Sequence, residues 1–202
     1  MIFISRKLLI VIVVLLVIAL IIPVAIKIHT SILRFRYPVK YIDIIEKYAD
    51  KYDIDPFLIL AVMKAESNFD PDAVSVKGAK GLMQIHPDTG EWIAKTFGLN
   101  GYKESDLFNP ETNIKFSCWY LNKLNKEFND PVLVLAAYNA GSGNVEKWLS
   151  EREHSSNQKK LDNIPFKETR DYIDRITRNY KMYKKIYKDQ KKEGNKLSLI
   201  HI

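Results

Sequence analysis

The sequence predicts a mainly α-helical protein, with one membrane-spanning helix followed by a single helical domain. Three observations carry this reading. Residues 8–26 form an uncharged run of 19, almost all Leu, Ile or Val. Beyond Pro38, the pairs Asp55-Pro56, Asn109-Pro110 and Asp130-Pro131 each read as a helix start. Strand-type alternation is scarce.

As a helix, the run 8–26 spans roughly 28 Å, about one bilayer core. Its aliphatic side chains favour insertion by roughly 6 kcal/mol. Pro23 near its outer end is tolerable in a membrane helix. A cleaved signal peptide is the rival reading. Its apolar core is usually about 7–15 residues, followed by a small-x-small exit. The exit here, Ile22-Pro23-Val24-Ala25-Ile26-Lys27-Ile28, offers no good site. The expectation is a cytoplasmic segment 1–7, an anchor 8–26, a basic tether 27–38 ending at Pro38, one domain over 39–189 and a tail 190–202. Arg6 and Lys7 favour a cytoplasmic N-terminus, but Lys27, Arg34, Arg36 and Lys40 just beyond the span oppose it. Charge counting alone does not fix the orientation.

The domain's elements follow from periodicity and caps. Val39–Tyr52 is expected to be helical, with apolar positions at Tyr41, Ile42, Ile44, Ile45 and Tyr48. Asp55 caps a helix through Glu66, with Pro56 at its first position. Pro87–Phe97 can begin at its proline, a long helix runs from Asn109 to Phe128, and another runs from Asp130 to Asn139. Gly141–Gly143 forms a turn before a helix over Val145–Ser150. A polar loop, Glu151–Asn163, precedes a last helix near Phe166–Lys188. At most a small β element is expected near Val74–Gly81. About 165 residues outside the anchor suffice for a core without disulfides or metals.

Glu66 is the most informative residue. It lies four residues after Val62, three after Met63 and seven after Ile59, so it emerges on an apolar stripe near a helix C-terminus. Burial and the negative end of the helix dipole both raise a carboxyl pKa. Glu66 is therefore a candidate general acid/base. By position alone, a half-exposed Glu in a last turn is the commoner case.

The residues that follow decide between these readings. Glu66-Ser67 is followed by Gly81-Leu82-Met83-Gln84, then Ala136-Ala137-Tyr138-Asn139-Ala140-Gly141, then Glu168-Thr169-Arg170-Asp171-Tyr172. This ordered set resembles the soluble-lytic-transglycosylase-like family over roughly residues 39–189. The resemblance implies a lysozyme-like α-rich fold with a cleft. It implies peptidoglycan glycan strands as substrate, and hence a domain outside the cell membrane. It makes Glu66 the single catalytic acid, which cleaves between N-acetylmuramic acid and N-acetylglucosamine and then closes a 1,6-anhydro ring. Ser75 matches a serine near the acetamido group, Met83 and Gln84 match positions bordering the cleft, and Tyr172 matches the tyrosine that orients the acid. Tyr138 combines a flat apolar face with a hydroxyl, which suits a sugar. Asn139 could bind a saccharide or cap its helix. Gly78 and Gly81 flank a bend where backbone could approach a sugar closely.

Two rivals remain: lysozyme-type hydrolysis on the same scaffold, and a non-catalytic wall-binding module. Hydrolysis commonly needs a second carboxylate. Asp70 and Asp72 read as turn chemistry, and Asp88 and Glu91 as helix-start acids. Glu168 reads as a structural partner, and His86 is not assigned as a base.

Several classes find no support. His29, His86, His154 and His201 are scattered, so no metal pattern appears, and no phosphate loop or cofactor motif is present. The single cysteine, Cys118, excludes an intrachain disulfide and reads as a core thiol. The net charge of +7 concentrates partly at Arg178, Lys181, Lys184, Lys185, Lys188, Lys191, Lys192 and Lys196. These form a solvated helix face suited to anionic wall polymers or lipid head groups. Nucleic acid is not an expected partner of an exported domain. A monomer is expected.

Overall fold

The structure, a computed structural model, describes residues 6–192. The start of segment 1–7 and the end of the tail, with Lys196 and His201, lie outside the described residues. The chain divides after Pro38 into two compact units.

The first unit is one helix, α1 (Arg6–Arg36). Ile12–Arg36 is long and apolar enough to cross a membrane, with mean hydropathy 2.8, and none of its apolar window is buried in the protein. The expected tether is largely part of this helix. No Gly or Pro interrupts 27–36, so the ladder continues until Tyr37, where the following Pro38 disfavours further helix.

The second unit is helical, as expected: α2 (Ile42–Tyr52), α3 (Pro56–Glu66), α4 (Pro87–Thr96), a 3₁₀ turn (Glu104–Phe108), α5 (Pro110–Phe128), α6 (Pro131–Ala140), α7 (Ser142–Ser150) and α8 (Lys167–Lys192). The Asx–Pro starts act as read. Asp55 accepts from Phe57 N, Asn109 from Thr112 N, and Asp130 from Val132 N and Leu133 N. Helix α7 starts three residues earlier than expected. Gly141, at φ 89°, alone makes the turn, and Ser142 is already helical. The 3₁₀ turn has no periodicity that a sequence could reveal; it is fixed by Leu107, which is fully buried.

Helix α3 is the central element. Ile59, Leu60, Ala61, Val62 and Met63 are all fully buried. It packs along α8, while α2 packs on α5, and α6 on α5, α7 and α8. Each fully buried aliphatic side chain contributes about 1.5–3 kcal/mol. A second cluster, Ile85, Ile93, Ala94, Leu107 and Phe116, joins α4 and the 3₁₀ turn to α5. Between the two lies segment 74–85. Its extended content is two isolated bridges, Val74 to Lys80 and Lys80 to Ile85.

Candidate active site

A cleft of about 530 Å³ opens where α3 ends, walled by segment 75–89, the start of α8, and α5 and α6 through Tyr120, Tyr138 and Asn139. Glu66 enters from the C-terminus of α3. Behind it the chain reverses sharply, with Asn68 and Phe69 both left-handed at φ 51° and 68°. Phe69 is buried, and its burial holds this uncommon conformation in place.

The Glu66 carboxyl is pushed up to about 7, chiefly by burial. The Tyr172 hydrogen bond and the Arg175 charge pull it down, and the Glu168 charge adds to the rise. Tyr172 O–H donates to Glu66 Oε1 at 2.6 Å. Burial holds the Tyr172 hydroxyl well above its ordinary range, so it stays a neutral donor. One carboxyl oxygen is thus fixed by Tyr172, and Oε2 is the oxygen available to exchange a proton. A carboxyl raised toward neutrality suits general acid/base work.

The other expected residues divide into two sets. Ser75, Gln84, Tyr138 and Asn139 line the cleft with Glu66. Ser75 Oγ accepts from Ala79 N at 3.0 Å, a bond that leaves its own proton available. Gln84, at φ 50°, donates its amide N–H groups to Ala73 O and Gly81 O, so it can offer a sugar its acceptor oxygen. Asn139 does not cap its helix. Its Oδ1 accepts from Thr169 Oγ1 at 2.8 Å, tying α6 to α8. Tyr138 donates to Met83 O at 2.9 Å, so its contribution to the cleft is its ring.

Met83 and Tyr172 act from behind the surface. Both are buried and neither lines the cleft. The Met83 side chain belongs to the core, a correction to its placement at the cleft border. Its main chain is what shapes the floor, through the bond from Tyr138. Gly81 is also corrected. The backbone approach it permits is to the protein itself. A Cβ there would come 2.2 Å from Leu107 O and 2.4 Å from Asn113 Nδ2.

Sequence reasoning did not assign Lys77, Thr89 and Tyr120 to the cleft, and read Glu168 only as a structural partner; all four line it. Tyr120 sits on an amphipathic helix, where pattern alone reads as core. Glu168 is exposed and paired with Lys77 at 2.9 Å. Asp70, Asp72, Asp88 and Glu91 do not line the cleft. Asp70 makes an Asx turn to Asp72 N, and Glu91 pairs with Lys95. Cys118 is buried and its thiol is pushed far up by burial. Among the described residues, no group of three His, Cys, Asp or Glu is placed to hold a metal ion.

This geometry accords with comparisons to known proteins. Residues 43–161 match the family model described as the transglycosylase SLT domain. The chain is 35% identical over 144 residues to the soluble lytic murein transglycosylase of Escherichia coli, covering 70% of this chain and 22% of that protein. It is 39% identical over 116 residues to membrane-bound lytic murein transglycosylase C of Histophilus somni, covering 52% of this chain and 32% of that one. Among solved structures, an inactive Glu-to-Gln mutant of the lytic transglycosylase Slt from Pseudomonas aeruginosa aligns with a TM-score of 0.65. It is 31% identical, over 76% of this chain and 25% of that one. A complex of the 70 kDa soluble lytic transglycosylase with bulgecin A aligns at 0.67 and 31% identity, over 84% and 27%. The chain therefore spans only about a fifth to a third of the length of these relatives. The match over residues 43–161, more than half of the chain, together with the shared fold, shows that the chain belongs to the transglycosylase SLT domain family.

Proposed function

We propose that this protein is a membrane-anchored lytic transglycosylase that cleaves the β-1,4 bond between N-acetylmuramic acid and N-acetylglucosamine in peptidoglycan. The observation that carries the reading is the isolation of Glu66. It is the buried carboxyl of the cleft. The other lining carboxylate among the described residues, Glu168, is exposed and paired with Lys77. A single titrating group favours a reaction in which the same residue acts twice.

In the first step, Glu66 gives its proton to the glycosidic oxygen as the C1–O bond breaks. The substrate's own 2-acetamido carbonyl supports the cationic carbon. Glu66, now a carboxylate, takes the proton of the C6 hydroxyl as that oxygen bonds to C1. The acid is restored, a 1,6-anhydro ring closes, and no water is consumed. Tyr172 holds the carboxyl in register through both steps. Ser75, Gln84 and Asn139 supply polar contacts to the sugars, and Tyr138 a packing face. The names of the relatives support the reaction class, as does the inactive Glu-to-Gln mutant among them. The anchor is read from α1. The basic, exposed residues Arg178, Lys181, Lys185 and Lys188 of α8 offer anionic wall polymers or lipid head groups a surface.

Digestion of purified peptidoglycan in ¹⁸O-water tests the mechanism. Anhydro ends free of label are expected, and Glu66→Gln should lower the rate at least about a hundredfold while preserving the fold. Predominantly labelled reducing ends would establish hydrolysis instead. A folded Glu66→Gln protein within tenfold of wild type would remove Glu66 from the mechanism.

A further inference from the structure

The aromatic wall of the cleft continues past Tyr120. Trp92 on α4 lies three residues after Thr89, which lines the cleft, so the two share a helix face. Its ring meets Tyr120 edge-on, with centroids 6.0 Å apart and an 83° interplanar angle. On the inner side it meets Trp119 at 5.2 Å and 60°. Trp119 in turn packs on Phe97 at 5.5 Å. These neighbours hold the indole in one orientation. Even so, Trp92 is 41% exposed, whereas the next residues, Ile93 and Ala94, are 0% and 2% exposed. Ile93 and Ala94 do the core packing of α4, and Trp92 is not needed to close that core. Lys123 Nζ, itself paired with Glu127, lies 5.6 Å from the indole centroid, near the outer limit of a cation–π contact.

A rigid, flat, partly exposed aromatic face beside a polar cleft suits the apolar C–H face of a pyranose ring. We propose that Trp92 is an outer sugar-stacking platform, seating one further hexopyranose of a β-1,4-linked glycan strand beyond the cleft, with Tyr120 joining it to the site at Glu66. This rests on the glycan reading of the cleft and adds to it a preference for longer strands. Chain length is sensed by a residue that takes no part in proton transfer.

The test uses the full chain in detergent micelles, carrying Glu66→Gln to prevent turnover. Binding of β-1,4-linked N-acetylglucosamine tri- and hexasaccharides is measured by calorimetry. Trp92→Ala should weaken hexasaccharide binding about three- to tenfold, the range for one aromatic contact, and leave the trisaccharide within about twofold. Trp92→Leu, which keeps apolar bulk against Trp119 but has no flat face, should behave like the alanine variant. Trp92→Phe should retain most of the affinity. Unchanged hexasaccharide affinity in folded alanine and leucine variants overturns the platform. An equal loss at both lengths also overturns it, because Trp92 would then act only by holding Tyr120. If the parent chain binds neither oligosaccharide, the glycan reading of the cleft fails first and the platform fails with it.

Discussion

At the scale of single residues, the proposed chemistry turns on how burial and three neighbouring groups set the protonation of Glu66. Burial raises its carboxyl to about 7, the Tyr172 hydrogen bond and the Arg175 charge oppose this, and the Glu168 charge adds to it. In the proposed mechanism Glu66 must be protonated in the free enzyme to begin the reaction, and no other carboxylate has a part. Activity as kcat/KM should therefore fall about tenfold per pH unit above roughly 7. The acid side should stay flat until the protein unfolds, because no second carboxylate has to be ionised. Tyr172→Phe removes a bond that favours the carboxylate, so its limb should move to higher pH. Glu168→Gln removes a like charge and should move the limb, by less, to lower pH. His86 also lines the cleft, and His86→Gln should leave the limb in place. Shifts of the same sign for Tyr172→Phe and Glu168→Gln would contradict this assignment. The same titration links to stability. Native Glu66 holds a proton that the unfolded chain releases between about 4.5 and 7, so its contribution is present below that window and is lost as pH rises through it.

At the scale of elements, what could be read from sequence was local, and what could not was held by distant contacts. A cap and its proline act within four residues, so Asp55, Asn109 and Asp130 marked their helices correctly. Segment 80–85 shows the opposite case. Leu82 O accepts from Ser67 Oγ at 2.7 Å and Met83 O from Tyr138. Met83 N donates to Asn113 Oδ1 at 2.8 Å, and Asn113 Nδ2 donates to Lys80 O and Leu107 O. Side chains from α5, from α6 and from Ser67, which caps α3, thus fix a loop with almost no regular structure of its own. No spacing in the sequence pointed to Asn113, which is fully buried; Met83 taken alone reads as core, and only the motif match put it at the cleft border. Asn113→Ala would leave the buried Met83 N–H and the Leu107 carbonyl without partners, while Lys80 O keeps its bond from Ile85 N. A loss of about 2–4 kcal/mol is expected in urea unfolding, at about 1–3 kcal/mol per orphaned buried group with partial relaxation. A loss below about 0.5 kcal/mol would show that the floor holds without this amide.

At the scale of the whole molecule, the chain divides into two compact units, a single helix and a helical domain. The helical fold was legible because its periodicities are strong. Motifs in order also picked out Glu66, Ser75, Gln84, Tyr138 and Asn139, which the fold brings to one cleft. The matched family region ends at residue 161, yet Tyr172 and Glu168 come from α8, which packs along the α3 helix that ends in Glu66. The proposed catalytic domain therefore extends through α8, and removing α8 would strip Glu66 of its hydrogen bond from Tyr172. The first unit is a continuous helix of 31 residues, about 46 Å long. A bilayer core accounts for about 30 Å of that. With the span over 8–26, residues 27–36, which include Lys27, Arg34 and Arg36, extend about 15 Å further as helix. Continuous helix through that stretch is poor ground for signal-peptide cleavage, which needs a small-x-small site in accessible chain. Expressed in a bacterial host, the chain should stay with the membrane after a carbonate wash. Protease added to spheroplasts should remove the domain beyond Pro38, because its proposed substrate lies outside the membrane. Protection until the cells are lysed would place the domain in the cytoplasm, and a soluble chain beginning after Ala25 would mean cleavage. Either result would detach the membrane reading from the enzymatic one, since the geometry at Glu66 depends only on residues after Pro38.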